Sequence, residues 1–151
     1  MEENFIIREK INKDKGPIVS LMSKLKSYFS QPTIEYVRKH INEHQGYVVE
    51  IEGNFIGFLS YLMENGKKAR ISWLAVEPKF QSNGLGKRLL DRLEEDLKLK
   101  EIETIRVSTL GDNPDYPHFK RTRQFYKNNG YYRIGSYRDN GVLIVILEKE
   151  I

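Results

Sequence analysis

The spacing of apolar positions along the 151-residue chain changes repeatedly, and each change marks an element. Phe5 to Arg8 reads as a short strand. Pro17 then opens a helical pattern with Ile18, Leu21, Met22 and Leu25 on one face. A second helix follows Pro32, carrying Ile34, Val37 and Ile41 at helical spacing, and Gly46 is expected to end it. After Gly46 the period falls to that of strands. YVVEIEG and NFIGFLSYL predict a hairpin turning at Gly53-Asn54, a pair that permits positive φ. Asn65-Gly66 marks the next turn, and ARISWLAV follows as a strand apolar on both faces, the pattern of a central strand.

Leu85, Leu89, Leu93 and Leu97 recur every four residues, with Leu90 widening the stripe, so a helix from about Gly84 to Leu99 is expected to pack on a sheet. A strand over roughly Glu103 to Thr109 comes next. In HFKRTRQFYKNNG, Phe119, Thr122, Phe125 and Tyr126 fall at helical spacing with Gly130 as the C-terminal cap. YYRIGSY and VLIVILEKE close the chain as strands. The order predicts a mixed α/β fold with hairpins on either side of one crossover helix. Repeats, low-complexity tracts and linkers are absent, so a single domain over residues 1–151 is expected.

Composition narrows the function classes. Hydrophobic residues make up 39% of the chain and aromatics 11%, enough to fold without staples. Cysteine is absent, which excludes disulfides, thiolate zinc sites and sulfur redox chemistry and fits a reducing compartment. MEENFIIREK opens with acids where a secretory leader would carry positive charge. The longest aliphatic run, Val142 to Leu147, is too short to span a bilayer, so the expectation is a soluble cytoplasmic protein without a membrane partner. A net charge of +4 favours anionic ligands, but basic and acidic residues are interleaved. RTRQFYK is one basic-aromatic patch and falls short of a nucleic-acid footprint.

The most specific stretch is VEPKFQSNGLGKRLL, Val76 to Leu90, where two glycines precede the leucine helix. A helix N-terminus offers unpaired amides and a positive dipole end, and glycines admit a ligand close to that backbone. A phosphate group is the expected ligand, although Asn83-Gly84 would also serve as a plain turn and cap. Two other phosphate motifs fail on spacing. A P-loop needs Gly where Gln81 stands and Ser or Thr where Arg88 stands, and a dinucleotide fingerprint needs a small residue at Leu89. A rival pattern, His40-Ile41-Asn42-Glu43-His44, matches the H-x-x-E-H of inverted zinc peptidases, with both histidines expected on one helical face. It lacks an identifiable third ligand in a chain far smaller than those enzymes, so no metal is expected.

The glycine stretch resembles the acetyl-CoA signature of the GNAT acetyltransferase superfamily: Gln or Arg, two residues, Gly, one residue, Gly or Ala. Gln81, Gly84 and Gly86 meet it. The likeness extends to the family's Leu-x-Val strand end and following proline, here Leu74-Ala75-Val76 and Pro78. It also includes a later Phe-Tyr-x-x-x-Gly-aromatic segment, here Phe125-Tyr126 and Gly130-Tyr131. These motifs cover about half the chain, and the element order follows the family over nearly all of it. The resemblance implies the GNAT fold: a central mixed, mostly antiparallel sheet of about six to seven strands flanked by about four helices.

It also implies an N-acetyltransferase that moves an acetyl group from acetyl-CoA to a primary amine of a small molecule or peptide, by direct attack in a ternary complex. The amides of Gln81, Ser82, Asn83, Gly84, Leu85, Gly86 and Lys87 would cradle the pyrophosphate without a metal, with Lys87 and Arg88 adding charge. Leu74 and Val76 would pair with the pantetheine arm as an added strand, and the Leu74 amide would polarise the thioester carbonyl. Tyr126 would contact the cofactor and protonate the leaving thiolate.

A base must also take a proton from an ammonium acceptor, and Ser72 holding a water, Asp112 and His118 are the candidates. GDNPDYPHFKRTR is longer than the connection usual in members that acetylate ribosomal proteins, and Thr122-Arg123 resembles members acting on small amines. The alternative of another class is a non-catalytic module that senses bound acetyl-CoA. The assembly expected is a monomer or a homodimer.

Overall fold

The computed structural model describes residues 4–151. In chain order it contains β1 (Phe5–Glu9), α1 (Lys15–Lys24), α2 (Gln31–His40), β2 (Gln45–Ile51), β3 (Asn54–Met63), β4 (Lys68–Val76), α3 (Leu85–Leu99), β5 (Thr104–Leu110), α4 (Phe119–Asn128), β6 (Tyr132–Asp139) and β7 (Val142–Glu150). Short 3-10 segments occupy Asn12–Asp14, Ile41–Glu43 and Pro78–Asn83. The strands hydrogen-bond in the order β1-β2-β3-β4-β5-β7-β6. β4 and β5, joined through α3, run parallel, whereas β1–β2, β2–β3, β5–β7 and β6–β7 are antiparallel. This is the expected α/β class with a mixed seven-stranded sheet.

Four local expectations are corrected. Gly46 does not end the second helix; it lies within β2 opposite Ser60, where a Cβ would come 2.1 Å from the Leu59 carbonyl oxygen. The glycine is needed for close strand approach, and α2 has already stopped at His40. There the chain tightens to a 3-10 turn and reaches extended backbone at His44 (φ −98°, ψ 141°), so His40 and His44 do not share a helical face. The first hairpin turns at Glu52-Gly53 rather than Gly53-Asn54, because Ile51 pairs with Asn54 and both intervening residues take positive φ, 50° and 79°. α1 starts two residues before Pro17, so the proline sits inside the first turn, where its missing N–H has no intrahelical acceptor to satisfy.

The described residues form two compact units. The first comprises residues up to Leu62 together with Trp73–Asp96. Its sheet buries Val48, Phe58 and Ala75 against Ile18, Leu21 and Met22 of α1 and Ile34 and Val37 of α2. Leu85, Leu89, Leu90 and Leu93 of α3 are fully buried, as the four-residue spacing predicts. At about 1.5–3 kcal/mol for each fully buried leucine, this stripe outweighs the few tenths that propensity contributes per residue. A polar contact fixes where α3 lies. The Tyr47 hydroxyl donates to Asp96 at 2.7 Å, Arg92 donates to Asp96 at 3.1 Å and to the Ile7 carbonyl at 3.3 Å, and its guanidinium covers the Tyr47 ring. Burial, and then the Asp96 hydrogen bond, push the Tyr47 phenol far above its ordinary range, so it stays a donor.

The second unit comprises Met63–Ser72 and Leu97–Ile151. Ile105 and Val107 of β5, Val145 and Leu147 of β7, and Tyr126 of α4 are buried in it. Gly130, at φ 93°, lets the chain leave α4 and enter β6, capping the helix as predicted.

Candidate active site

The first unit contains a continuous run from the end of β4 to the start of α3, and its shape is set by side chains on both sides. The parallel ladder of β4 with β5 runs from Lys68↔Thr104 to Ile71↔Val107; Leu74 and Val76 lie further along β4 than its last pair. Glu77 donates its amide to the Ile56 carbonyl at 2.7 Å, and Pro78 opens the Pro78–Asn83 turn at the position where its missing N–H costs nothing. Six residues is long for a 3-10 segment, and side chains hold it. The Gln81 amide donates to the Val76 carbonyl at 3.0 Å, tying the turn back to the strand. Phe80 meets Phe5 of β1 edge-to-face at 6.1 Å, and the Glu77 carboxylate pairs with Lys24 of α1 at 2.9 Å.

Gly84 links this turn to α3. Its backbone is left-handed (φ 70°, ψ 18°), which lets one helical segment follow another without a linker. The first bond across the junction runs from the Arg88 amide to the Gly84 carbonyl at 3.1 Å, so the amides of Leu85, Gly86 and Lys87 precede the helical ladder. A Cβ built on Gly84 meets no atom within 4 Å. Three outward amides, the positive end of a fifteen-residue helix and open space above the glycine form a fitting cradle for a phosphate group.

The nearby cations are already engaged. Lys87 donates to Asp91 at 2.8 Å, a contact that raises its pKa, and the Arg88 guanidinium lies over the Phe5 ring. The geometry therefore favours the backbone over side chains as the primary anion contact. Leu74, Val76 and the run Gln81–Lys87 are thus brought together by the fold. The roles of the Gln81 side chain, Glu77, Phe80, Phe5 and Lys24 were not foreseen. Only Pro78 signals in sequence that a turn begins there, because the other contacts join residues far apart along the chain.

Tyr126 and the proposed bases belong to the second unit. Tyr126 is 4% exposed on α4, edge-to-face with Phe125 and Tyr131 at 5.2 and 5.4 Å. Burial pushes its phenol well above the ordinary tyrosine range, so at neutral pH the hydroxyl carries its proton and is available as a donor. Asp112 is exposed, and its carboxylate accepts from Arg123, which also donates to the Leu110 carbonyl at 2.8 Å. That arrangement fastens α4 to the end of β5. His118 precedes α4 with its ring 4.9 Å from Phe119, and Ser72 is half-buried on β4. Of the rival zinc pattern, His40 contacts Glu43 at 2.9 Å and His44 is buried; among the described residues no group of three or more His, Cys, Asp or Glu could hold a metal ion.

The model of the acetyltransferase (GNAT) family matches residues 17–131. The chain belongs to that family. It is therefore an acyl-CoA-dependent acetyltransferase, and acetyl-CoA is the family's acyl donor. Among relatives, the acetyltransferase is 29% identical over 125 residues to the S-(2-succino)cysteine N-acetyltransferase of Bacillus subtilis, covering 78% of this chain and 73% of the relative. Its fold matches the PaiA N-acetyltransferase of Thermoplasma acidophilum, solved in complex with coenzyme A, with TM-score 0.79 and 19% identity over 98% of this chain and 99% of that one. It also matches the ribosomal-protein-S18-alanine N-acetyltransferase of Escherichia coli, with TM-score 0.80 and 16% identity over 98% and 94% of the two chains. No helix among the described residues is long and apolar enough to cross a membrane.

Proposed function

We propose that this acetyltransferase modifies the primary amine of a small, amino-acid-like molecule, with the Gln81–Lys87 backbone holding the pyrophosphate of acetyl-CoA. The observation that carries the reading is Gly84: left-handed, open above its Cα, and placed where the free amides of α3 begin. Acetyl-CoA supplies an acetyl group already activated as a thioester. The chain's residues supply placement and protons. The amides of Leu85, Gly86 and Lys87 bind and orient the phosphates, and the Gln81 side chain keeps the turn folded against Val76 while they do so.

The backbone of Leu74 and Val76 receives the pantetheine arm as an added strand, and the Leu74 N–H donates to the carbonyl where negative charge develops. Tyr126 Oη holds a proton for the departing sulfur. The phenol is protonated at neutral pH, so the proton is present when the thiolate leaves. The preference for a small acceptor rests on the Bacillus subtilis relative, whose name specifies an amino-acid amine, and on the Gly111–His118 connection between β5 and α4.

The test is an acceptor screen. Purified protein is incubated with acetyl-CoA and a panel of amino acids, S-substituted cysteines, polyamines and N-terminal peptides, and free thiol is followed over time. Acetylation of an amino-acid amine with release of one thiol per product supports the proposal. Selective turnover of peptides would overturn the acceptor class. Tight CoA binding without turnover of any acceptor would favour the sensor reading.

A further inference from the structure

Tyr126 lies on α4, and whatever fixes α4 against the sheet decides where its phenol is presented. β5 outruns its neighbour β4. Their ladder stops at Ile71↔Val107, whereas β5 continues to Leu110, so the Leu110 carbonyl lies past the last β4 pair. Arg123 of α4 donates to that carbonyl at 2.8 Å and, through the other arm of its guanidinium, to the Asp112 carboxylate. The Arg123 side chain is 20% exposed and that of Asp112 93%. Water therefore weakens the carboxylate contact, and the carbonyl bond is the sheltered one.

The carbonyl that Arg123 grips is itself held still. Gly111 donates its amide to the Leu143 carbonyl of β7 at 2.9 Å. A Cβ on Gly111 would come 2.9 Å from Leu143 Cδ2 and 3.0 Å from Val145 Cγ1, so glycine permits that approach. Asn113 then stands in for one more strand residue. Its side-chain nitrogen donates to the Leu143 carbonyl at 3.0 Å and to the Gly111 carbonyl at 3.1 Å, while its oxygen accepts from the Leu143 amide at 2.8 Å. Pairing of β5 with β7 is thus continued past Leu110↔Ile144 by a side chain. The start of α4 is looser. Its first turn is closed by bonds of 3.4, 3.3 and 3.3 Å from the amides of Phe119, Lys120 and Arg121, without a side-chain cap.

Arg123 and Tyr126 are three residues apart, so they are neighbours on the helix surface, one turn from each other. A directional bond at Arg123 therefore fixes the rotation of α4 at the level of Tyr126. At roughly 5–6 Å from a helix axis, a rotation of about 10° moves a side-chain atom by about 1 Å. Misplacing a reacting group by about 1 Å can cost on the order of 10²-fold in rate. We propose that Arg123 is a positioning residue: it sets the rotation of α4 and thereby the place of the Tyr126 hydroxyl during acetyl transfer. The inference rests on Tyr126 as the proton donor and gives Arg123 no contact with acetyl-CoA or the acceptor.

The test pairs a spectroscopic signature with kinetics. Arg123→Met keeps an unbranched apolar stem and removes every donor, whereas Arg123→Lys keeps a charged donor. In protein with isotope-labelled tyrosine rings, the NMR signal missing from Tyr126→Phe identifies Tyr126 among the nine tyrosines. Arg123→Met, folded by circular dichroism, should shift or broaden that signal and leave most others in place, and Arg123→Lys should shift it less. With acetyl-CoA and the amine that turns over fastest in the acceptor screen, Arg123→Met should lower kcat about tenfold or more, with coenzyme A affinity changed less than about twofold. In the Tyr126→Phe background the same substitution should lower kcat less than about threefold, because the group it positions is gone. An unmoved Tyr126 signal in folded Arg123→Met would overturn the proposal, and so would a kcat loss equally large without the phenol. Wild-type kcat in Tyr126→Phe alone would instead remove the proton-donor role on which the proposal stands. Should Arg123→Met fail to fold, Arg123→Lys carries both measurements.

Discussion

Replacing Gly84 separates the two properties that the structure assigns to it, a backbone conformation and an open space. With alanine, the backbone cost is that of placing an L-residue at φ 70°, about 1–2 kcal/mol. No packing cost is added, because a Cβ there meets nothing within 4 Å. For a chain of this size each kcal/mol moves Tm by about 2–4 °C, so the ligand-free Gly84→Ala protein should melt roughly 2–8 °C lower. Binding should suffer independently. A methyl group in the cradle displaces phosphate oxygens from one or two amides, and at about 1.5–3 kcal/mol per charge-assisted bond, coenzyme A affinity should fall roughly 10- to 100-fold or more. Gly84→Glu carries the same backbone cost but places a carboxylate over those amides, where it competes for the helix end and repels phosphate. Binding should then be undetectable. Differential scanning calorimetry without ligand gives the first number, and isothermal titration with coenzyme A gives the second. A folded Gly84→Glu protein with wild-type affinity would place the phosphate elsewhere and refute the reasoning.

Tyr126→Phe keeps the ring that packs against Phe125 and Tyr131 and removes only the proton donor, so stability and coenzyme A affinity should change little while kcat falls on the order of 10²-fold. Steady-state kinetics with an identified acceptor in a chemistry-limited regime check this, and an unchanged kcat removes the phenol from the reaction. Acid sensitivity should report on Asp14, which accepts two hydrogen bonds from Arg8, at 2.7 and 2.9 Å, and one from the Ile11 amide at 2.8 Å. Burial pushes its carboxyl up, but the Arg8 and Ile11 bonds and the Arg8 and Lys10 charges outweigh that and hold it below the usual range. The folded pKa being the lower one, its contribution is full above the unfolded value of about 4 and is lost as pH falls through the folded value. Urea unfolding from pH 6 to pH 3 should therefore show a steeper loss of stability in wild type than in Asp14→Asn, which should already be weaker at pH 6 by about 1–3 kcal/mol.

What could be read in advance was whatever recurs locally. The leucines of α3 declare its buried face because one periodicity is repeated four times, and the apolar run of β7 survives any small error of register. Gly84 could be read in advance as a place of special backbone, and the structure gives it a left-handed conformation with open space at its Cβ position. Gly46 was misread for the converse reason: glycine answers both a helix end and a close strand approach, and only the Leu59 carbonyl opposite it tells them apart. The histidine pattern failed because i,i+4 spacing places two side chains together only while the helix lasts, and α2 ends at His40. Contacts that shape the Pro78–Asn83 turn were invisible in the sequence. Lys24–Glu77 and Phe5–Phe80 each join ordinary surface-type or apolar residues across long stretches of chain, and no local rule pairs them.

The Phe5 ring has a practical consequence for anyone handling this protein. It touches Phe80 within the turn and lies under Arg88 on the first turn of α3, so the beginning of β1 forms part of the wall behind the proposed phosphate cradle. Sequence fused ahead of β1, such as a purification tag or a reporter, is therefore added beside the turn proposed to hold the coenzyme, and an affinity measured on such a fusion mixes the behaviour of the tag with that of the protein. A tag that a protease removes before the measurement keeps the two apart.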